Sequence, residues 1–277
     1  MAVVNPFDPV PPDRISEPGK LDDQTLSSRT LGRLPPWGSP HAENLMRVLL
    51  SPQEPFPCTF ATAAARNGTL RFGFIENLHD VDTWRPLLDI LSGYLKIYQE
   101  LSRTTSLVIF FSSENVPLVM VDYYQRFWRI LQFLHDNDPE VWPVSIPCEV
   151  DDSWWEFSFS GVPIFAVCST PAHDRRRSRH SPTFMITFQP RWVFEGLGVD
   201  TPRGVTARRV IRERLRAYDE PEPSPQLGAY GDASNREWKQ YFLPDDNQDS
   251  FPHCPFRHRG SPDRGSPVRR RASGTAG

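Results

Sequence analysis

The chain lacks the sequence signatures of several common classes of enzyme and of membrane proteins. No window approaches about 18 uninterrupted apolar residues, so a transmembrane helix is not expected. The first residues, MAVVNPFDPVPPDR, contain neither a basic segment nor an apolar core, and they therefore predict no secretory signal peptide. The motifs GxGxxG, GxxxxGK[ST], HExxH and GxSxG are absent, which leaves dinucleotide-binding, P-loop, zincin and hydrolase interpretations without support.

Cysteine is also scarce, and neither sign of charge is in large excess. The four cysteines, at positions 58, 148, 168 and 254, are widely separated and form no CxxC pair. This spacing favours reduced thiols in a cytoplasm over a disulfide framework or a zinc site. A net charge of -3 gives no reason to expect nucleic acid or a membrane surface as a partner. We therefore expect a cytoplasmic protein, and a homodimer remains open.

Proline is abundant, with 29 residues that concentrate near the two ends of the chain. Such segments cannot bury enough apolar surface to fold alone. The composition predicts a flexible N-terminal arm over 1–38, one folded domain over 39–250, and a disordered basic tail over 251–277.

Hydrophobic periodicity predicts the class of the folded domain. LRFGFI (70–75) and the continuous apolar run TSLVIFFS (105–112) indicate strands, each followed by a segment with helical spacing. The second of these helices spans 118–135, and three further strands are expected between Trp154 and Glu195. The order β-α-β-α-β-β-β indicates a single α/β domain with a mixed sheet flanked by helices; α+β is the alternative.

The loop TPAHDRRRSRH, between two of those strands, is the first candidate site. A surface loop with solvated charges explains the composition most simply. The functional alternative is a metal-ligating imidazole, His173, beside arginines that neutralise an anionic ligand. Heme combines both needs, because its iron takes His or Cys axially and its propionates bind cations. His135, which closes the 118–135 helix, and Cys58, in an apolar PCTF context, are further candidate ligands, although Cys58 also fits a core position.

Acidic residues flanked by aromatic residues form the second set of candidates. Glu156 lies in WWEF, Glu195 in RWVFE and Glu237 in NREWK. A structural ion pair explains each of them most simply, and a buried carboxylate facing a cavity would instead bind a guanidinium group through two hydrogen bonds. The residues by themselves indicate a site for an anionic or cationic small molecule, with a metal as an option.

Several longer segments resemble a known family. They are PFPCTFATAAARNGTLRFGFI, YYQRFWRILQFLHDND, WWEFSFSGVPIFAV, TPAHDRRRSRH, ITFQPRWVFEGL and YGDASNREWKQYFLPDDN. Together they resemble the YqcI/YcgG family over residues 55–247. The chain is most similar to a branch of heme-dependent N-oxygenases that act on guanidine groups, which includes the arginine N-hydroxylase of D-cycloserine biosynthesis and the guanitoxin-pathway hydroxylase.

The resemblance implies hydroxylation of a guanidino nitrogen of L-arginine or a near relative, in natural-product (antibiotic) biosynthesis. It implies heme b as cofactor, with an electron donor or peroxide supplying the oxidising equivalents. A heme-binding or heme-sensing protein without oxygenase activity is the alternative.

The implied roles attach to residues of this sequence. His173 is the expected axial ligand, with Cys58 as alternative and His135 as a weaker one. Glu156, ahead of Glu195, is expected to bind the guanidinium group. The remaining expectations are propionate contacts by Arg175, Arg179 or Arg191, and pocket walls formed by Trp155 and Trp192.

Overall fold

The computed structural model describes residues 21–113, 116, 118–248 and 251–259. The centre of the fold is a five-stranded mixed sheet with the strand order β1-β2-β5-β4-β3. The strands are β1 (Leu70–Ile75), β2 (Ser106–Phe111), β3 (Ser158–Phe159), β4 (Val162–Ser169) and β5 (Met185–Pro190). β1 and β2 are parallel, whereas β2-β5, β5-β4 and β4-β3 are antiparallel. The chain therefore forms the single α/β domain with a mixed sheet that its periodicity predicts.

Seven α-helices surround the sheet in the described part of the chain. They are α1 (Asp23–Arg29), α2 (Gly38–Leu49), α3 (Thr59–Arg66), α4 (Arg85–Leu101), α5 (Met120–Asp136), α6 (Pro202–Tyr218) and α7 (Trp238–Tyr241). Short 3-10 turns occur at Val81–Trp84, Arg177–Arg179 and Arg191–Phe194. None of the helices in these ranges combines the length and the apolar character needed to cross a bilayer.

β2 shows why the domain has three layers. Every residue of this strand is buried, and alternate side chains point to opposite faces. Leu107, Ile109 and Phe111 join the core beneath α4, α5 and α7. Val108 and Phe110 join the second core, which α1, α2 and α3 cover. Because both faces of this strand are buried, its sequence is a continuous apolar run without polar alternation.

A glycine sets how closely α4 approaches the sheet. A Cβ atom added to Gly73 would lie 2.6 Å from Cδ1 of Ile109 and 2.8 Å from Cγ2 of Ile90. The missing side chain therefore lets α4, which contains Ile90, pack against β1 and β2. This crossover helix is what makes β1 and β2 parallel.

The segments expected to be an arm and a tail contribute to the domain where the structure describes them. α1 places Leu26 in the core, and Thr30 bridges to Phe72 of β1. At the other end Phe256 is buried beside α5. Both segments contain isolated apolar residues, too few for a periodic signal but enough to dock on a formed core. Residues 1–20 and 260–277 of the predicted arm and tail lie outside the described residues.

Local boundaries differ from prediction at two places. The strand expected in WWEFSFSG is reduced to Ser158–Phe159, because the preceding residues bury Trp155 and Glu156 instead of pairing. Ser160 and Gly161 then adopt positive φ values and form the tight hairpin to β4. The sequence also predicts Asp82 as the cap of the helix that follows β1, whereas the cap observed is Asp80, two residues earlier, whose carboxylate accepts from the backbone N–H of Asp82 at 3.0 Å.

Candidate functional site

The β4–β5 loop carries His173 into the interior instead of presenting it to solvent. The ring is fully buried. Its Nε2 donates to the carbonyl of Leu243 at 2.9 Å, so Nδ1 is unprotonated and accepts from the Thr170 hydroxyl at 2.9 Å. Burial lowers the pKa of His173 to about 4, which keeps the ring neutral at neutral pH. A metal could take either nitrogen of His173 only after one of these hydrogen bonds breaks.

Two arginines of the same loop are buried as well. Nε of Arg176 donates to the carbonyl of Pro244 at 2.7 Å, and its Nη2 donates to Asn247 at 2.8 Å. Arg179 donates to the backbone carbonyls of Gln240 and Tyr241. The loop and the segment 240–247 thus form one hydrogen-bonded unit, which corrects the interpretation of the loop as a set of solvated charges.

The arginine expected at a propionate, Arg175, lies on the outside of this unit. Its guanidinium forms ion pairs with Glu220 at 3.0 Å and Asp246 at 3.1 Å, and about half of its side chain is exposed. Its backbone N–H donates to Asp245. These contacts fasten the loop to its neighbours, and Arg175 stays accessible from solvent.

Arg179 is the charged neighbour of two thiols. Burial raises the pKa values of the Cys58 and Cys168 thiols. The positive charge of Arg179 acts against this rise at both sulfurs. Cys58 is half-buried at the start of α3, where its sulfur accepts from the backbone N–H of Ala61 at 3.5 Å. A sulfur at a helix N-terminus beside guanidinium groups, here Arg179 and Arg214, is an environment that favours a thiolate. Burial outweighs these effects in the free protein, so the pKa of Cys58 is raised.

Glu156 and Arg191, which were assigned to different ligands, bind each other. Nε and Nη2 of Arg191 donate to the two carboxylate oxygens of Glu156 at 2.7 and 2.6 Å. Nη2 also donates to Glu237 at 2.7 Å, and the guanidinium lies 3.6 Å from the ring centroid of Tyr230. Two carboxylates therefore share one guanidinium in the interior, and we name Glu156, Arg191 and Glu237 the buried ionic centre.

Burial dominates the electrostatics of the buried ionic centre. It raises the pKa of Glu156 and of Glu237, although Arg191 opposes the rise. Burial disfavours the charge on Arg191, but the two carboxylates outweigh it and raise the pKa of that guanidinium. A proton on one carboxylate would leave a neutral centre, which is the form that a low dielectric favours. In this arrangement the guanidinium that Glu156 recognises belongs to the protein.

The remaining predicted residues lie in separate places. Glu195 is exposed and pairs with Arg103 at 2.7 Å. The same arginine covers the ring of Trp192, 4.1 Å from its centroid. Trp155 is fully buried and packs against Trp142, Tyr241 and Phe256. The two tryptophans therefore do not form the walls of one pocket.

Two cavities open beside these groups. One of about 300 Å³ has aromatic walls and is bordered by Lys239 and Asp246. It is lined by Tyr124, Ser224, Pro225, Gln226, Trp238, Lys239, Phe242, Pro244, Asp246, Asn247, Phe251 and Pro252. The other, about 720 Å³, lies between the C-terminal end of α5, the loop 138–148 and residues 258–259, and it is lined in part by His135. Both volumes are in the range of small-molecule sites.

A bare metal ion finds no ready cage in the described ranges. No group of three or more His, Cys, Asp or Glu side chains is placed there to hold one. Heme makes a smaller demand, since one axial nitrogen or sulfur and cations for the propionates suffice. Cys58, with Arg179 and Arg214 nearby, offers the sulfur and the cations but lines neither of the two cavities, whereas His173 offers a nitrogen only by giving up a hydrogen bond.

The sequence pattern missed the groups that assemble this region. Asp219 and Asp245 were not singled out, yet Asp219 binds Ser178 and Asp245 binds the backbone of Arg175 and Arg176. The Arg-rich run and the PDD sequence carry opposite charges about 70 residues apart, and that complementarity is the one sequence signal from which their contact could have been predicted.

The fold and these contacts define a mixed-sheet α/β domain whose C-terminal segment holds a buried His/Arg loop. Comparison with known proteins identifies the family. The profile of the YqcI/YcgG family matches residues 45–257, and the chain belongs to this family. No solved structure matches the chain.

Three relatives illustrate the similarity. "Uncharacterized protein YcgG" of Bacillus subtilis (strain 168) is 40% identical over 241 residues, which cover 85% of this chain and 94% of the relative. "Uncharacterized protein YqcI" of the same organism is 39% identical over 226 residues, covering 80% and 89%. "Putative N(omega)-hydroxy-L-arginine synthase DcsA" of Streptomyces lavendulae is 36% identical over 216 residues, covering 74% and 79%.

Proposed function

We propose that this protein is an oxidoreductase that hydroxylates a guanidino nitrogen of a small molecule, with L-arginine as the first substrate to test. The observation that carries the proposal is the 36% identity, over 79% of its length, to the relative named as an N(omega)-hydroxy-L-arginine synthase. The four free thiols are compatible with the reducing cytoplasm expected from the sequence. A role in antibiotic biosynthesis belongs to the same proposal.

The substrate site of the proposal is the cavity of about 300 Å³. Asp246 and Lys239 border it with opposite charges, which suit the guanidinium and carboxylate ends of an amino acid. Tyr124, Trp238 and Phe242 supply aromatic surface on which a planar cation can stack. Asp246 also pairs with Arg175 at 3.1 Å, so a bound guanidinium would share its carboxylate. Glu156 and Glu195 are less suited, because they pair with Arg191 and Arg103 and do not line this cavity.

The cofactor of the proposal is heme b, which would supply the oxygen-activating chemistry when bound. Among the predicted ligands we favour Cys58 over His173, because its sulfur has no competing proton acceptor and metal coordination deprotonates a thiol. Arg179 and Arg214 are the cations whose charge lowers the pKa of this thiol. Arg179 also donates to Gln240 and Tyr241, in the segment that leads into the proposed substrate cavity.

The deciding experiment uses protein purified from heme-supplemented cells. Its absorption spectrum is recorded with and without L-arginine, and the carbonyl complex of the reduced protein distinguishes the ligands. Thiolate ligation predicts a Soret maximum of about 450 nm, which Cys58→Ser removes and His173→Asn retains. A carbonyl complex without a maximum at about 450 nm, whose spectrum His173→Asn changes and Cys58→Ser does not, would return the assignment to His173.

Activity is tested on the same holoprotein with reductant and oxygen, or with peroxide. The expected product is L-arginine heavier by one oxygen atom, detected by mass. Heme-loaded protein that yields no hydroxylated product from any guanidino compound would favour the heme-binding or heme-sensing alternative. Colourless protein from supplemented cells would overturn the heme proposal altogether.

A further inference from the structure

Two imidazoles meet at the edge of the larger cavity. His135 ends the last turn of α5, and His258 belongs to the C-terminal segment that packs beside it. Their ring centroids are 5.1 Å apart and the ring planes are inclined by 46°. Both residues line the cavity of about 720 Å³, together with the exposed Cys148. His258 lies just beyond the residues that the family profile matches.

Each ring has a buried nitrogen with no hydrogen-bond partner among the described residues. These atoms are Nδ1 of His135 and Nε2 of His258. His135 itself is 1% exposed. A buried polar atom without a partner costs about 1–3 kcal/mol, so it calls for a specific explanation.

The hydrogen bond at the other nitrogen of His135 fixes how the ring can act. Nε2 accepts from the backbone N–H of Arg259 at 2.9 Å and therefore carries no proton. In the neutral ring the proton lies on Nδ1, where it can be exchanged for a metal ion. A backbone contact at one nitrogen that orients the other is the usual support of a metal-ligating histidine.

The spacing of the rings agrees with a shared ion. With metal–nitrogen bonds of about 2.0–2.1 Å and tetrahedral angles, two imidazoles on one ion have centroids about 5 Å apart. The observed separation of 5.1 Å is of this size. A third protein ligand is not in place among the described residues, so solvent or an external ligand would complete the coordination shell.

The surrounding charges are mixed. The guanidinium of Arg259 donates to the backbone carbonyls of Asp138 and Glu140 and disfavours a nearby cation. Asp138 and Glu140 line the same cavity, and Asp136 ends α5 next to His135, so carboxylates of the opposite charge lie in the same region. The balance predicts a site of moderate affinity, formed by the two imidazoles.

We propose that His135 and His258 form a two-imidazole site for a divalent transition-metal ion of the zinc or copper type. The site is separate from the proposed oxygenase centre at Cys58 and does not depend on it. Cys148, which lines the same cavity, is the thiol available there as a candidate third ligand.

The test is a titration of the metal-free full chain with Co²⁺, followed by displacement with Zn²⁺. One equivalent of Co²⁺ is expected to give visible absorption that Zn²⁺ removes. His258→Gln and His135→Gln should each weaken binding by about 10-fold or more. His253→Gln is the matched control, because this exposed histidine belongs to the same C-terminal segment, and it should bind as the unaltered protein does.

The unfolding temperature provides a second readout. Zn²⁺ should raise it for the unaltered protein and for His253→Gln, but not for His258→Gln, whose half-buried position tolerates substitution better than that of His135. No binding of Co²⁺, or equal binding by all variants, would overturn the proposal. A titration with hemin distinguishes a bare metal ion from heme iron as the occupant of the site. A change in hemin absorption that requires His135, in a protein that does not bind Co²⁺, would also overturn the proposal and would place the porphyrin at this site.

Discussion

Arg191 binds Glu156 through two parallel hydrogen bonds, from Nε at 2.7 Å and from Nη2 at 2.6 Å. The carboxylate is fully buried, and Glu237 takes a third bond from the same guanidinium. Removing the cation would leave two carboxylates in the interior, whereas removing one carboxylate would leave a matched pair. The buried ionic centre is therefore asymmetric in its response to substitution.

Arg191→Met is expected to lower the free energy of unfolding by about 3–5 kcal/mol, because it strands both acids. Glu237→Gln should lower it by about 1 kcal/mol, since the pair of Glu156 and Arg191 remains. Urea denaturation measures both values. Arg209→Met is the control, because it removes only the exposed pair with Glu213, and its effect should stay below about 1 kcal/mol. Equal losses in the two arginine variants would contradict this account.

His173→Ala is expected to destabilise the fold by roughly 2–4 kcal/mol, since it leaves the Leu243 carbonyl without its donor and opens a cavity. Thr170→Val removes the hydroxyl that donates to Nδ1 and accepts from the Ala172 backbone N–H at 3.2 Å, and it should cost about 1–2 kcal/mol. Denaturation at neutral pH compares the two with the unaltered protein. A stable His173→Ala protein that has lost heme would instead support His173 as the axial ligand.

The buried histidines predict weakening in mild acid. Burial lowers the pKa values of His135 and His173 to about 4, whereas both rise to about 6.5 on unfolding. Between these values the unfolded chain binds more protons, so stability is full above pH of about 6.5 and is lost as pH falls towards about 4. The expected slope is about 1 kcal/mol per pH unit for each histidine.

His173→Asn isolates this contribution, because asparagine does not titrate over that interval. The raised pKa values of Glu156, Glu237 and Asp219 act in the opposite direction and remain in both proteins. Denaturation at several pH values should therefore show that the free energy of unfolding falls less steeply in acid for His173→Asn than for the unaltered protein. Parallel curves would indicate that the His173 ring accepts a proton without losing its place.

Thiol labelling should follow exposure. Cys148 is exposed and should react first with an aromatic disulfide reagent, whereas the fully buried Cys168 should react only on unfolding. Cys58 and Cys254 are half-buried and should react slowly, since burial also raises their pKa values. Loss of the fast phase in Cys148→Ser checks the assignment. If heme binds Cys58, the holoprotein should protect that thiol while Cys148 reacts as before.

Periodicity predicted the elements that lie within the core and missed those that depend on distant partners. The apolar run 105–112 could be assigned as a central strand because burial on both faces leaves a local pattern. Thr201 and Pro202 likewise predict the start of α6, because a capping residue precedes a proline at the first helical position. In the structure the Thr201 hydroxyl accepts from the backbone N–H of Gly204. The Trp154–Phe157 segment has strand-like composition, but contacts with Tyr241 and Arg191 decide its path.

The candidate site was harder to predict for the same reason. Arg191 and Glu156 were recognised as reactive residue types, but nothing local indicates that they neutralise each other across 35 positions. His173 was singled out for its arginine-rich neighbourhood, and its actual partners are Thr170 and a carbonyl 70 residues away. Residue type predicts what a side chain is able to bind, whereas the fold decides which partner reaches it.

The dependence of the β4–β5 loop on residues 240–247 has a consequence for synthesis of the chain. The side chains of His173, Arg176 and Arg179 donate hydrogen bonds to this late segment. Before residues 240–247 have left the ribosome, a nascent chain that had already formed strands β1 to β5 would bury the donors of His173, Arg176 and Arg179 without their acceptors. Translation at about 5–20 residues per second adds a delay of several seconds before the partners arrive. The last quarter of the polypeptide therefore sets when the domain can fold.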